Sequence, residues 1–314
     1  MTKGRIATFA VAVLALGLPL LLLVTIEVPS RAAFVVALLN FGHAPLFGCA
    51  ALALHWVFSR HSHCRHLPYG LAMLAVLVAG IVAELIQGTL GRDAEMADVI
   101  TDVLGAVTSL LVRFSLQRGT GRRIRWLALG LAAIILGILA EPVLRIGISI
   151  GHRHASFPVL ADFESIWDKE CCGSRSAHWR IVPAPANSGK SPDDRMARIM
   201  FRPTARYPVF FVREPYPDWR GYRELQFEVY SEEREELKLG FRIHDRRHND
   251  ETDDRFNQTL TIRPGMNLVR ISLDDAEKAP AGRRMDMTAI DAVALFAVRP
   301  ARHVLIYVDN FRLK

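Results

Sequence analysis

Ionisable side chains gather in the segment 83–106, between two apolar runs of the chain. Glu84, Asp98 and Asp102 lie at or just inside the ends of these runs. Ionisable groups inside a membrane are costly, and they are rarely kept there without a function. Carboxylates close together in a partly dry place have raised and divergent pKa values, which suit proton transfer or the binding of a polar head group.

Three pairs of polar residues share a helical face, because their members are three or four residues apart. The pairs are Asn40 and His43, Glu84 and Gln87, and Asp98 and Asp102. Arg92 lies in the loop before Asp98, where its guanidinium could neutralise a phosphate or carboxylate. We therefore predict one membrane cluster made of Asn40, His43, Glu84, Gln87, Arg92, Asp98 and Asp102.

A second interpretation of the same residues is structural. Polar side chains in membrane helices form hydrogen bonds between helices, and small residues let the helix backbones approach closely. Gly88, Gly91 and Gly105 lie near the predicted cluster and would permit such packing. Both interpretations stay open at this point.

Five apolar runs are long enough to position these residues as membrane helices. They cover about 6–28, 33–58, 69–87, 97–114 and 126–150. The first run is longer than the apolar region of a signal peptide and no small-residue cleavage site follows it, so we predict a retained anchor. Basic residues concentrate before the first run and after the second and fourth, which predicts a cytoplasmic N-terminus and an extracytoplasmic domain after the fifth run.

The second half of the chain has the pattern of a β-sandwich. Short alternating or β-branched runs are separated by turn signals, and no long helical period interrupts them. We predict a helical transmembrane bundle of five spans followed by an all-β jelly-roll sandwich. The expected domains are 1–120, a fifth helix and linker at 121–151, and the sandwich at 152–314.

The most polar segment of the second half, 244–257, is here called the polar loop. Its candidate glycan-binding residues are His244, Asp245, Arg247, His248, Arg255, Phe256 and Asn257. The polar side chains could bind sugar hydroxyls, and Phe256 could offer an apolar face. The alternative is a solvated connection between two strands, which is the commoner role of a charge-rich loop.

The first 120 residues resemble the VanZ-like family of small bacterial membrane proteins. The motifs NFGH, ELIQ, GR and DVITDVLGA carry the resemblance. It implies a shared core of Glu84, Gln87, Arg92, Asp98, Asp102 and Gly105 together with His43, and an association with the cell envelope and glycopeptide resistance. The family usually has Asn at the position of Asp102, so this chain adds an ionisable group there.

The second half resembles carbohydrate-binding and galactose-binding-like jelly rolls. The segments ADFES and YVDNFRL are similar to the first and last strands of such modules, and DWRGYRELQFEVY is similar to their central strand pair. The resemblance implies a structural calcium ion held by Glu164 and Asp309, whose hard oxygen ligands suit calcium. No other cofactor is expected.

These observations favour a binding protein of the bacterial cytoplasmic membrane. Its expected partners are a membrane lipid and an envelope glycan or peptidoglycan-related ligand. Two alternatives remain: a membrane enzyme that uses Glu84, Asp98 or Asp102 as general acid or base, and a module that docks another envelope protein. The net charge of +7 does not indicate nucleic-acid binding, since many basic residues lie beside membrane segments.

Overall fold

The computed structural model describes residues 3–25, 33–89, 96–213 and 217–314. They form two compact units, Met1–Leu144 and Arg145–Lys314. The division between the two units falls inside the fifth helix, after Leu144.

The described part of each predicted apolar run forms a helix; residues 26–28 of the first run lie outside the described residues. The helices are α1 (Lys3–Thr25), α2 (Ala33–Ser59), α3 (Leu67–Thr89), α4 (Met96–Ser115) and α5 (Arg122–Ser156). Among the described residues, α2, α3 and α5 are long and apolar enough to cross a membrane. Helix α5 is apolar along its length: Leu127, Leu131, Ile134 and Ile138 are exposed, whereas Ala128, Ala132 and Ile135 are buried. A helix of this kind is typical of a membrane span.

Small residues allow helices α2 and α4 to pack closely. A Cβ atom at Gly105 would overlap the backbone of Ala44, and one at Gly48 would overlap the side chain of Ser109. Phe47 and Ala106 are buried in the core of this unit. The structure therefore gives Gly105 the packing role that the second interpretation of the membrane cluster required.

The second unit is a β-sandwich of two antiparallel sheets. Its strands are β1 (Val159–Ala161), β2 (Cys172–Arg175), β3 (Ala177–Pro183), β4 (Arg195–Phe201), β5 (Val209–Arg213), β6 (Glu224–Ser231), β7 (Leu237–Asp245), β8 (Phe256–Ile262), β9 (Gly265–Ser272), β10 (Ile290–Phe296) and β11 (Val304–Leu313). The six-stranded sheet has the order β3-β4-β11-β6-β9, with β1 paired to β11. The five-stranded sheet has the order β2-β5-β10-β7-β8.

The predicted sandwich is confirmed in its essentials. The short alternating runs that predict strands form β4 to β11, whereas β2, β3 and a short helix α6 (Leu273–Lys278) were not predicted. Strand β1 pairs with the end of β11, so the two ends of the domain meet as the resemblance implied. DWRGYRELQFEVY forms only one strand, β6, and its Trp219 is fully buried in the core.

Replacing Gly105 by Leu should weaken the helical unit, because the added side chain cannot fit against the Ala44 backbone. We expect a loss of about 1–3 kcal/mol or more in stability, as in other overpacked cores. Thermal unfolding of the detergent-solubilised chain measures this. Gly130→Leu on α5 is the control, because a Cβ there meets nothing within 4 Å. Equal melting temperatures for the two variants would contradict the packing.

Candidate functional sites

Two residues of the predicted membrane cluster meet in a buried pair. His43 on α2 and Asp102 on α4 lie with Nδ1 and Oδ1 3.0 Å apart, and Asp102 is 1% exposed. Helix α3 leaves room for them, since a Cβ at Gly80 would lie 2.9 Å from Asp102 Oδ2. This second oxygen has no hydrogen-bond partner among the described residues. A buried imidazole and carboxylate in contact can hold and pass a proton.

The remaining cluster residues take different positions. Glu84 and Gln87 are buried on α3, and Glu84 and Asp98 are close enough to act electrostatically on His43. Asn40 is exposed on α2 and so does not share the burial of His43. Arg92 lies outside the described residues. The structure thus brings carboxylates from α3 and α4 around an imidazole from α2.

The polar loop is held in place mainly by ion pairs with Arg283, a residue outside the loop. Arg283 donates to both oxygens of buried Asp245, at 2.6 and 2.9 Å, and also binds Asp254. The hydrogen bond from Arg283 lowers the pKa of Asp254 to about 2. His248 Nδ1 lies 3.1 Å from the backbone oxygen of Asp254. Asp245 and His248 therefore help to fix the loop, and Arg283, the partner of Asp245, was not predicted from the sequence.

The other candidate residues of the polar loop differ in their burial and in their partners. Phe256 packs in the sandwich core at 9% exposure, so the prediction that it offers an apolar face to a ligand is wrong. Asn257 Nδ2 donates to the backbone of Thr252 at 2.7 Å, and Arg255 donates to Asn257. His244 Nε2 lies 3.4 Å from Asp291 Oδ2. Arg247 is exposed, and among the described residues it makes no hydrogen bond or ion pair.

Asp309 and Glu164 have separate partners. Lys190 Nζ lies 2.6 Å from both Asp309 Oδ2 and Glu228 Oε2, while Glu164 accepts a hydrogen bond from the backbone of Arg195 at 2.9 Å. Among the described residues no group of three or more potential ligands gathers. The ammonium already supplies the positive charge beside Asp309, so these residues do not fit the calcium ion that the resemblance implied.

The Lys190 site has unequal carboxylates. Burial raises the pKa of Asp309 to about 7, and the hydrogen bond from Lys190 opposes this effect. Burial also acts on Glu228, but hydrogen bonds from Lys190 and Asn310 outweigh it and lower the pKa of Glu228. The two carboxylates share one ammonium, and the more exposed Glu228 is the one that stays ionised more readily.

A row of side chains crosses the outward face of the six-stranded sheet, and the sequence analysis missed it. Successive strand registers pair Arg180 with Arg198, Arg198 with Tyr307, Tyr307 with Tyr230, and Tyr230 with Met266. We call these five residues the outward row. Because β3, β4, β11, β6 and β9 are not consecutive in the chain, only the folded sheet aligns them. The alternation of β4 and β11 was visible, but β3 was not recognised as a strand.

The segment 184–194, here called the strap, lies over part of this face. Ala184 packs against the cluster of Met196, Tyr230 and Tyr307, and Lys190 anchors the strap to Asp309 and Glu228. Beside the strap a groove of about 650 Å³ remains open. Its polar lining consists of Arg180, Asn187, Arg198, Tyr230, Glu232 and Tyr307. Arg198 and Glu232 both reach the Tyr307 hydroxyl, whose pKa is raised by burial.

Cys171 and Cys172 are free thiols whose Sγ atoms lie 3.7 Å apart. The Cys171 thiol donates to the backbone oxygen of Asp168 at 3.0 Å.

No family model and no curated protein matches this sequence. The resemblance of the first half to the VanZ-like family therefore remains a prediction.

Solved structures do resemble the sandwich. One is a family 11 carbohydrate-binding module from Clostridium thermocellum in complex with a β-1,3-1,4-mixed-linked tetrasaccharide, with 18% identity, a TM-score of 0.38, and coverage of 49% of this chain and 93% of that chain. A family 30 carbohydrate-binding module of a Clostridium thermocellum cellulosomal cellulase has 13% identity and a TM-score of 0.35, covering 50% and 91%. An exo-β-agarase has 14% identity and a TM-score of 0.41, but the match covers 50% of this chain and only 24% of the agarase.

The described part of the chain thus combines a helical half, in which three helices are long and apolar enough to cross a membrane, with an antiparallel β-sandwich.

Neutralising Asp309 should alter how stability depends on pH. The folded-state pKa of about 7 exceeds the ordinary carboxyl value, so the folded chain holds a proton that the unfolded chain releases. Wild-type stability should therefore fall, relative to Asp309→Asn, as the pH rises from about 4 to about 7. Thermal unfolding followed by near-ultraviolet circular dichroism measures the difference. Asp274→Asn, at an exposed position on α6, is the control; a pH-independent difference for Asp309→Asn would contradict the assignment.

Proposed function

We propose that this chain is a membrane-anchored glycan-binding protein of the bacterial envelope. The apolar helices hold the sandwich at the membrane, and the groove beside the strap takes part of a saccharide. The observation that carries the proposal is the outward row, which places two arginines and two tyrosines from four strands in one open groove.

The groove has the properties that a saccharide site needs. Its volume of about 650 Å³ falls within the range of small-molecule sites, and its floor is a paired sheet that holds side chains rigidly. Arg180, Arg198 and Asn187 can donate to sugar hydroxyls, and Glu232 can accept from them. The Tyr230 and Tyr307 rings, at 5% and 8% exposure, are largely covered, so they present hydroxyls and ring edges rather than stacking faces.

The proposal also covers the topology and the family of the helical half. We include in it five membrane spans, a cytoplasmic N-terminus, an extracytoplasmic sandwich and a VanZ-like helical domain. Three helices that could cross a membrane support membrane association. The basic residues that follow the second and fourth apolar runs support the orientation.

A second function is favoured by one specific observation. Asp102 is buried beside His43 with one oxygen unpartnered, in space that Gly80 keeps open. An arrangement of this kind suits binding of a polar lipid head group, or acid–base chemistry on a lipid-linked envelope substrate. Asp102 would exchange the proton with His43, while Glu84 and Asp98 tune the charge of the pair.

Glycan binding should depend on the groove and not on the polar loop. The full chain in nanodiscs is tested on an array of bacterial envelope glycans, including peptidoglycan fragments. The double variant Tyr230→Phe and Tyr307→Phe keeps the packed rings but removes two hydroxyls, and should weaken binding by roughly tenfold. Arg247→Ala in the polar loop should bind like wild type. If Arg247→Ala alone lost binding, the groove would not be the glycan site. If the folded chain bound no glycan, protein docking would be favoured instead.

The membrane pair is tested by Asp102→Asn, which removes the ionisable group but keeps the side-chain shape. If the pair performs chemistry, Asp102→Asn and His43→Gln should each abolish the effect of this chain on the susceptibility of cells to glycopeptides. The amount of the protein in the cells should stay unchanged. Asn40→Ala, at an exposed position on the same helix as His43, is the control. If the effect persists in both variants, the pair contributes to helix packing alone.

A further inference from the structure

We propose that the groove binds an acidic saccharide, through a carboxylate or phosphate group held by Arg180 and Arg198. The inference rests on the proposed glycan-binding function and adds the charge of the ligand to it. Its starting point is the position of the two arginines, which are direct neighbours across the β3–β4 pair.

Both guanidinium groups stand on the same face of the sheet. Trp179 and Ile181 pack towards the core from β3, as do Ala197 and Ile199 from β4, so the alternation of the strands turns Arg180 and Arg198 outward. Like charges directly opposite one another on a sheet are destabilising. The two neighbouring guanidinium groups therefore lower the stability of the fold unless a group of opposite charge lies beside them.

The described part of the chain does not provide that group as an ion pair. Neither Arg180 nor Arg198 has a carboxylate within 4.0 Å there, although other basic side chains of the sandwich do. Lys190 has two carboxylates, Arg283 has two, and Arg302 binds Glu233 at 2.7 Å. The sandwich pairs these cations but leaves the two in the groove unpaired.

The acidic groups around the groove are accounted for. Glu232 lines the groove and acts on the Tyr307 hydroxyl, so the lining carries two guanidinium groups against one carboxylate. Asp309 and Glu228 lie one row further along the sheet, where Lys190 binds both. The ends of the outward row thus differ: the β3–β4 end is positive and the β9 end is the apolar Met266.

Arginine is the side chain that best fits an anion at such a place. Its planar fork matches a carboxylate or phosphate in two parallel hydrogen bonds, and two neighbouring forks can hold one anion from both sides. Asn187 and the tyrosine hydroxyls lie beside them and suit the hydroxyls of the same sugar. The ligand chemistry is therefore an anionic group on a polyhydroxylated ring, as in a uronic acid or a sugar phosphate.

The test compares saccharides of equal length that differ in charge. Calorimetry uses the full chain in nanodiscs of zwitterionic lipid, with an oligogalacturonate, a phosphorylated oligomannoside and a neutral cello-oligosaccharide as probes. We expect at least one acidic probe to bind roughly tenfold or more tightly than the neutral one, and its affinity to fall as salt is added. The stronger acidic probe distinguishes carboxylate from phosphate.

Variants separate charge from geometry. The double variant Arg180→Gln and Arg198→Gln should lose the preference for the acidic probe, whereas Arg180→Lys and Arg198→Lys should keep part of it. Arg263→Gln, an exposed arginine outside the groove, should behave as wild type. Equal binding of neutral and acidic probes by the wild type would overturn the acidic ligand but leave glycan binding intact. Failure of every probe and of the glycan array would overturn both.

Discussion

The stacked phenylalanines at the centre of the sandwich determine what its outer face can present. Phe227 stacks on Phe311 with ring centroids 4.7 Å apart and planes 8° from parallel, and on Phe241 of the other sheet at 5.2 Å. Burial of these large rings dominates the energy of such a core. Once Phe227 faces inward, the period of two along β6 turns Glu228 and Tyr230 outward. The outward row is thus a consequence of core packing.

Strand β11 meets this constraint with a local irregularity. Its register shifts between Asp309 and Arg312, and Asn310 has a positive φ of 57°. An extra residue of this kind lets Val308 and Phe311 both reach the core while Asp309 stays on the outer face. Asn tolerates the left-handed conformation better than most residues. Asp309 is the last residue before the bulge and contacts Lys190, which anchors the strap that forms one wall of the groove.

Local patterns predicted much of this protein, and non-local pairing accounts for the rest. The helices follow from apolar length, eight strands follow from alternation, and the contact of His43 with Asp102 follows from residues that share helical faces. In the sequence, Asp245 and Asp254 of the polar loop appear solvated. In the fold they bind Arg283, which lies far along the chain, and no local pattern predicts this contact. Likewise, Lys190 replaces the expected calcium ion through contacts with β6 and β11. The outward row forms only when five strands pair in an order that cannot be read from the sequence.

In our proposal, the ligand binds on the outward face of the six-stranded sheet, beside the strap. The most direct measurement is hydrogen–deuterium exchange of the full chain in nanodiscs, with and without a saturating acidic oligosaccharide. With the saccharide bound, we expect slower exchange in the strap and in the backbone around Arg180, Arg198 and Tyr307. We expect no change in the polar loop. Protection confined to the polar loop, or an unchanged strap in a chain that binds the saccharide, would contradict it.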